Sequence, residues 1–253
     1  MKDYSSIAKE ARREVLTLVH KAQTSHIASN FSVIDIATVL YENIKPEDEV
    51  VWSSGWKAAT IYYFLWKQGK ITREQLDSFP NPPFYGLAET SVPGVHVSGG
   101  SMGQGLGVAI GMALARKREG KPGNIYCIMS DGEHQEGTSW EGALLAGNHK
   151  LDNLVVIVDN NGWTAMGKTK DVCDLEPHKA KWRAFKWDAY DIDGHNTESI
   201  EDFLFEEFRA DKPYALICNT IKGKGVKEFE DKILYHYKNI DKETYDRAME
   251  ELK

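Results

Sequence analysis

Two short apolar runs, each closed by an oxygen-bearing residue, constrain this chain more than any other feature. Ile125-Tyr126-Cys127-Ile128-Met129 leads through Ser130 into Asp131-Gly132-Glu133, and Leu154-Val155-Val156-Ile157-Val158 leads into Asp159-Asn160-Asn161. Unbroken apolar runs of this length fit strands buried on both faces, the habit of parallel sheets covered by helices. The stretch near 136–147 reads as a helix, giving a strand–helix–strand unit. Open α/β sheets bind ligands at the carboxyl ends of their strands. If the two strands are neighbours, Asp131 and Asn161 meet at that edge. A carboxylate and an amide oxygen suit a magnesium ion that also takes phosphate oxygens. The pattern therefore predicts a diphosphate cofactor held by metal. On local sequence alone, a loop aspartate and a turn asparagine are an equal reading.

The remainder of the chain fits the same frame. Apolar residues at helical spacing (Ile7, Ala8, Ala11, Val15, Leu18, Val19) predict a helix over 5–21, and further helices are expected over 31–41, 57–67, 108–116 and 245–252. Thr72 and Gln75 have the spacing of a capping box. The Pro- and Gly-rich stretch 80–94 reads as a loop. A third strand is expected near 214–219, after a helix near 197–209. This alternation predicts an α/β fold, a parallel sheet with helices on both faces. No repeat or linker divides the chain, so 1–253 reads as a single domain.

Charge and cysteine usage narrow the partners. A net charge of −7 argues against nucleic acid, which needs a basic face. Cys127 and Cys218 lie in apolar runs and Cys173 in a polar loop. Three dispersed thiols give no disulfide framework and fit a reducing cytoplasm. No apolar run reaches the roughly 20 residues of a membrane helix, and none reads as a secretory signal. Asn30-Phe31-Ser32 matches a glycosylation sequon, which without export is read as chance.

Four blocks, in order, resemble one family. Asp131-Gly132 followed by Asn160-Asn161 resembles the thiamine diphosphate signature. Gln135-Glu136-Gly137-Thr138-Ser139-Trp140-Glu141-Gly142 is similar to transketolases in particular, and so are the block from Pro93-Gly94-Val95-His96 to Gly103-Gln104-Gly105 and Thr220-Ile221-Lys222-Gly223-Lys224-Gly225-Val226 with Tyr235-His236 downstream. The resemblance covers nearly the whole chain and implies the diphosphate-binding (PP-type) domain of the thiamine diphosphate fold. It implies Mg2+, or another divalent cation such as Ca2+ or Mn2+, held by Asp131, Asn161 and the backbone carbonyl of Trp163. It implies that Gly132 lets backbone approach the phosphates and that Gly100 and Met102 lie against the cofactor rings. By the same resemblance, His26 and His236 donate to the diphosphate or to a substrate hydroxyl, and Glu136 and Glu141 lie at an interface between subunits that links two active sites. Solvated helix glutamates are the plain alternative for that last pair.

The family's pyrimidine-binding domain, which follows this one and carries an activating glutamate, has no counterpart here. The chain thus resembles the N-terminal subunit of a split transketolase. The partner implied is a C-terminal transketolase subunit. The resemblance also implies a heterotetramer of two copies of each chain, and sugar or sugar-phosphate substrates.

Departures from the family pattern point to specificity. Transketolases usually have Gly-Asp-Gly where Ser130-Asp131-Gly132 stands, and His96 stands where glutamate is usual. Ser53-Ser54-Gly55-Trp56 replaces a Ser-Asn-Gly-His block, and Gly86-Leu87-Ala88 replaces Gly-His-Pro. Both missing imidazoles face the ketose donor in the family. A site built to bond hydroxyls loses strongly when its partners go, so donor specificity altered from the ordinary pentose-phosphate enzyme is expected.

Three other readings stand beside this one. A deoxyxylulose-phosphate-synthase-like or 2-oxo-acid-dehydrogenase-like subunit would release carbon dioxide. A scaffold would keep the fold without the chemistry. Gly162-Trp163-Thr164-Ala165-Met166-Gly167-Lys168-Thr169 matches a P-loop letter for letter. Trp163 and Met166 are bulky for a phosphate cradle, and no helical face is read over 171–177.

Overall fold

The computed structural model describes residues 2–206 and 211–253. Its sheet has five parallel strands in the order β1-β2-β3-β5-β4. These are β1 Glu49–Trp52, β2 Ile125–Ser130, β3 Leu154–Asn160, β4 Asp188–Asp193 and β5 Tyr214–Asn219. The helices are α1 Tyr4–Ala22, α2 Ile27–Ser32, α3 Ile34–Asn43, α4 Ala58–Lys67, α5 Arg73–Asp77, α6 Gln104–Glu119, α7 Gly137–Asn148, α8 Thr169–Cys173, α9 His178–Ala184, α10 Thr197–Glu201, α11 Leu234–Tyr237 and α12 Lys242–Glu251.

Strand period divides the core in two. Tyr126, Ile128, Val155, Ile157, Tyr214 and Leu216 pack with the layer of α1, α3 and α4. Cys127, Met129, Val156, Val158, Ala215 and Ile217 face Leu106, Ala109, Ala143 and Trp182 of α6, α7 and α9. This is the α/β architecture expected. β2 and β3 are neighbours, with Ser130 opposite Asp159, so the loops that follow them leave the same edge side by side.

Several local readings change. β1 was not foreseen, because four residues opening on Glu49 carry too little pattern. β4 was also missed. Asp188, Asp191 and Asp193 dilute its apolar positions, as befits an edge strand that discourages further pairing. The helix expected over 31–41 is two helices that step at Val33, where the Ser32 hydroxyl is diverted to Ser29 O and Asp159. α6 begins at Gln104 rather than 108, because Gly103 at φ +73° starts it. α12 begins at Lys242, capped by Asp241, which accepts from Thr244 N at 2.8 Å. The capping box of Thr72 and Gln75 is present. The helix expected over 197–209 is α10 followed by a wider turn over Asp202–Glu206, and its last residues lie outside the described ones. No helix among the described residues is long and apolar enough to cross a membrane.

Candidate active site

Beyond β2 the chain makes one tight turn, Asp131–Gln135, and beyond β3 it reaches Asn161 and Gly162. A hydrogen bond joins the two loops: Gly162 N–H donates to Asp131 Oδ2 at 2.7 Å. Asp131 Oδ1 accepts from Gly132 N at 3.0 Å. The Asn161 amide is oriented from behind, with Nδ2 donating to Asp159 Oδ2 at 3.3 Å and to Ser32 Oγ at 3.4 Å. Its Oδ1 accepts from Trp163 N at 3.1 Å. Burial and the Asp159 charge push the Asp131 carboxyl up to about 7. Lys222 and the Lys57 paired with Asp159 do not fully offset the two buried carboxylates, and a divalent cation would supply further positive charge. The carboxylate, amide and carbonyl oxygens of Asp131, Asn161 and Trp163 are the hard donors such a cation takes. Among the described residues no group of three or more His, Cys, Asp or Glu could hold a metal, so these mixed oxygens are the candidate set.

Above them opens a cavity of about 340 Å³. His26 enters it from a left-handed backbone conformation (φ 71°) that starts α2. Its Nδ1 lies 2.7 Å from Ser25 Oγ, and its backbone N–H donates to His236 O at 3.0 Å. The two imidazoles meet edge to face, 4.6 Å between centroids. Lys222, 1% exposed, donates to Ser29 Oγ at 3.1 Å and lies 3.2 Å from His236 Nδ1. Burial, aided by the Lys222 charge, lowers His26 to about 4 and His236 to about 3. Both are therefore neutral near pH 7, able to donate and accept. Burial lowers Lys222 to about 8, which leaves it cationic at neutral pH.

The glycine loop before α6 is fastened by Glu133. Fully buried, its carboxylate accepts from Gly103 N (3.1 Å), Ser130 N (2.8 Å) and Ser53 Oγ. Ser53 Oγ in turn accepts from Gly105 N at 3.1 Å. A Cβ on Gly105 would lie 2.5 Å from Ser53 Cα, so only glycine fits. Gly100, Met102 and Gly132 all line the cavity. Sequence reading assigned Glu133 no role, although Ser130-x-x-Glu133 is a capping-box spacing that could have marked it. It also missed Lys222 and the buried pair Lys57–Asp159 (2.7 Å) that braces Asn161.

Other candidates lie elsewhere. Glu136 occupies the N-cap of α7, one residue before the helix it was expected to open, and Glu141 is exposed one turn on. Neither lines the cavity. Glu136 Cβ would lie 2.9 Å from a Cβ on Gly103, so it flanks the glycine loop. His96 is at 3.2 Å from Glu49 and away from the cavity. Trp56 and Leu87 both line it. The P-loop match folds as a small hairpin, with Trp163 bridged to Lys168. A short helix does begin at Thr169, contrary to expectation. The hairpin spends its amides internally: Thr164 N on Gly167 O, Thr169 N on Gly162 O, and Met166 N and Gly167 N on Thr164 Oγ1. They form no open phosphate cradle.

Comparison with known proteins gives this geometry a family. The transketolase thiamine diphosphate binding domain, as a family profile, matches residues 4–252. The chain belongs to the transketolase family. It is 34% identical to an apulose-4-phosphate transketolase subunit of Phocaeicola vulgatus, covering 97% of this chain and 92% of that protein. It is also 34% identical to the 6-deoxy-6-sulfo-D-fructose transketolase subunit SqwG of a Clostridium species, covering 99% and 96%. The solved transketolase of Campylobacter jejuni superposes with a TM-score of 0.91 at 29% identity, covering all of this chain and 43% of that one. The transketolase-family chain thus has the thiamine diphosphate binding domain expected, and spans under half the length of that solved transketolase.

Proposed function

We propose that this chain is the diphosphate-binding subunit of a split transketolase that moves a two-carbon ketol unit from a ketose donor to an aldose acceptor. The observation that carries the proposal is the Asp131–Gly162 clasp beneath a cavity walled by His26, His236 and Lys222. Asp131, Asn161 and the Trp163 carbonyl hold Mg2+, or Ca2+ or Mn2+ in its place. Gly132, Asn161, His26, His236 and Lys222 receive the diphosphate, and Gly100 and Met102 border the rings. Thiamine diphosphate supplies a nucleophilic thiazolium carbon and an electron sink. The neutral imidazoles of His26 and His236 bond substrate hydroxyls and can relay a proton there. Donor specificity is altered from the ordinary pentose-phosphate enzyme.

The partner supplies the pyrimidine-binding domain. Relatives of matching length are named as subunits, which supports this. So does the outer face of α6 and α7, where Val108, Leu144 and Leu145 are exposed, the last two one turn from Glu141. A helix apolar on both faces belongs in an interior. The assembly is a heterotetramer of two copies of each chain, with 1–253 as one domain, working in the cytoplasm with its three cysteines free.

Two measurements test the site. Titration with thiamine diphosphate against ATP, each with Mg2+, should give saturable binding of the first alone; the reverse result would restore the P-loop reading. Lys222 is cationic below about 8 and loses its proton as pH rises through that value. Cofactor affinity should therefore fall above pH 8. Lys222→Met should weaken binding about 10–100-fold at pH 7, the range for a hydrogen bond to a charged group, and should flatten that alkaline limb.

A further inference from the structure

Three loops meet behind the cavity and are joined backbone to backbone. Ala88 N–H donates to Gly55 O at 2.9 Å, and Gly99 N–H donates to Ala88 O at 2.6 Å. Gly55 and Gly99 touch so closely that a Cβ on Gly55 would lie 2.4 Å from Gly99 Cα. Each of these residues has a neighbour in sequence, Trp56, Leu87 or Gly100, that lines the cavity. Leu87 Cδ1 lies 3.4 Å from where Gly100 would carry a Cβ. The Tyr62 hydroxyl donates to Leu87 O at 3.4 Å, and the Tyr62 ring packs on Phe79 and Phe84. The loop is thus held from below while Leu87 stays 38% exposed. A second, open cavity of about 770 Å³ shares His26 and Leu87 with the first. Leu87 therefore stands where the groove meets the cofactor cavity.

The cavity has unlike sides. His26, Ser29, Lys222 and His236 form a polar side, whereas Trp56 and Leu87 contribute mainly carbon to the lining. We propose that Trp56 and Leu87 form a rigid apolar wall that sets donor choice. The wall selects a ketose that, beyond the carbons taking part in bond cleavage, turns a deoxygenated or carbon-branched face toward it. This rests on the ketol-transfer reading above. A hydroxyl pressed against the carbon of this wall gives up water and gains no partner there, whereas hydrogen or carbon loses nothing. The close glycine contacts keep the wall from retreating to admit water.

The test uses the chain complexed with its pyrimidine-domain partner. Hydroxypyruvate delivers the two-carbon unit with loss of carbon dioxide and carries no hydroxyl outside that unit. Xylulose 5-phosphate and fructose 6-phosphate carry several. The ratio of kcat/KM for each sugar to that for hydroxypyruvate is measured in the wild type, Leu87→Asn and Trp56→Ser. Melting and thiamine diphosphate titration verify that each variant folds and loads. The ratios should be low in the wild type and rise roughly tenfold or more in at least one variant, the scale on which pocket contacts discriminate substrates. Ratios within twofold of wild type in both variants, or wild-type turnover of both sugars as efficient as that of hydroxypyruvate, overturn the wall. A loaded complex that uses none of the three donors overturns instead the ketol-transfer reading, and the wall with it.

Discussion

Asp131→Asn is expected to lower the affinity for thiamine diphosphate in the presence of Mg2+ by at least about 100-fold, beyond the roughly 10–100-fold that groups merely supporting a metal's ligands are worth. The substitution keeps the size of the side chain and an oxygen able to accept from Gly162 N, so the clasp between the two loops survives. What it removes is the negative charge. That charge is opposed in the ligand-free fold, since burial and Asp159 push the carboxyl up to about 7. The melting temperature should therefore hold while cofactor binding is lost. Calorimetric titration with the cofactor at saturating Mg2+, paired with thermal denaturation, separates the two effects. An Asp131→Asn protein that binds as tightly as the wild type would remove Asp131 from the metal set.

The chain alone is expected to show negligible ketol transfer, and addition of its partner should raise turnover by about 100- to 10,000-fold or more, the span credited to positioned acid–base groups. The reason lies in the composition of the cavity. Among its described lining residues none is Asp or Glu. Asp131 lies beneath it, while Glu133 is fully buried and committed to Ser53, Ser130 and Gly103. On the split-enzyme reading, the carboxylate that activates the cofactor would come from the partner polypeptide. Stopped-time assays with the chain alone, with the partner alone, and with both together test this. Ketol transfer by the isolated chain at a rate near that of the mixture would sink the split-enzyme reading.

What the sequence disclosed and what it withheld have physical causes. β2, β3 and β5 were legible because burial on both faces leaves an uninterrupted apolar run. β4 was not, because its edge position tolerates Asp188, Asp191 and Asp193. Asp131 and Asn161 could be proposed as neighbours because strand ends are readable and adjacent parallel strands align them. The supports behind them could not. Ser53 reaches Glu133 across 80 residues and Lys57 reaches Asp159 across 102, and no local pattern records such pairings. The left-handed backbone of His26 was equally invisible, since nothing in Ser25-His26-Ile27 demands it. The P-loop match shows the converse, a perfect string of letters whose backbone closes on itself.

The margins of the sheet also bear on how copies of this protein can associate. One outer strand, β1, is only four residues long. The other, β4, carries acidic groups, with Asp188 and Asp191 tied to Lys212 and Lys179. Neither rim is a good template for a foreign strand. Growth by ribbon extension is thereby discouraged, which leaves the helical flanks and the loops at the carboxyl edge for association, where contact between side chains decides which protein fits.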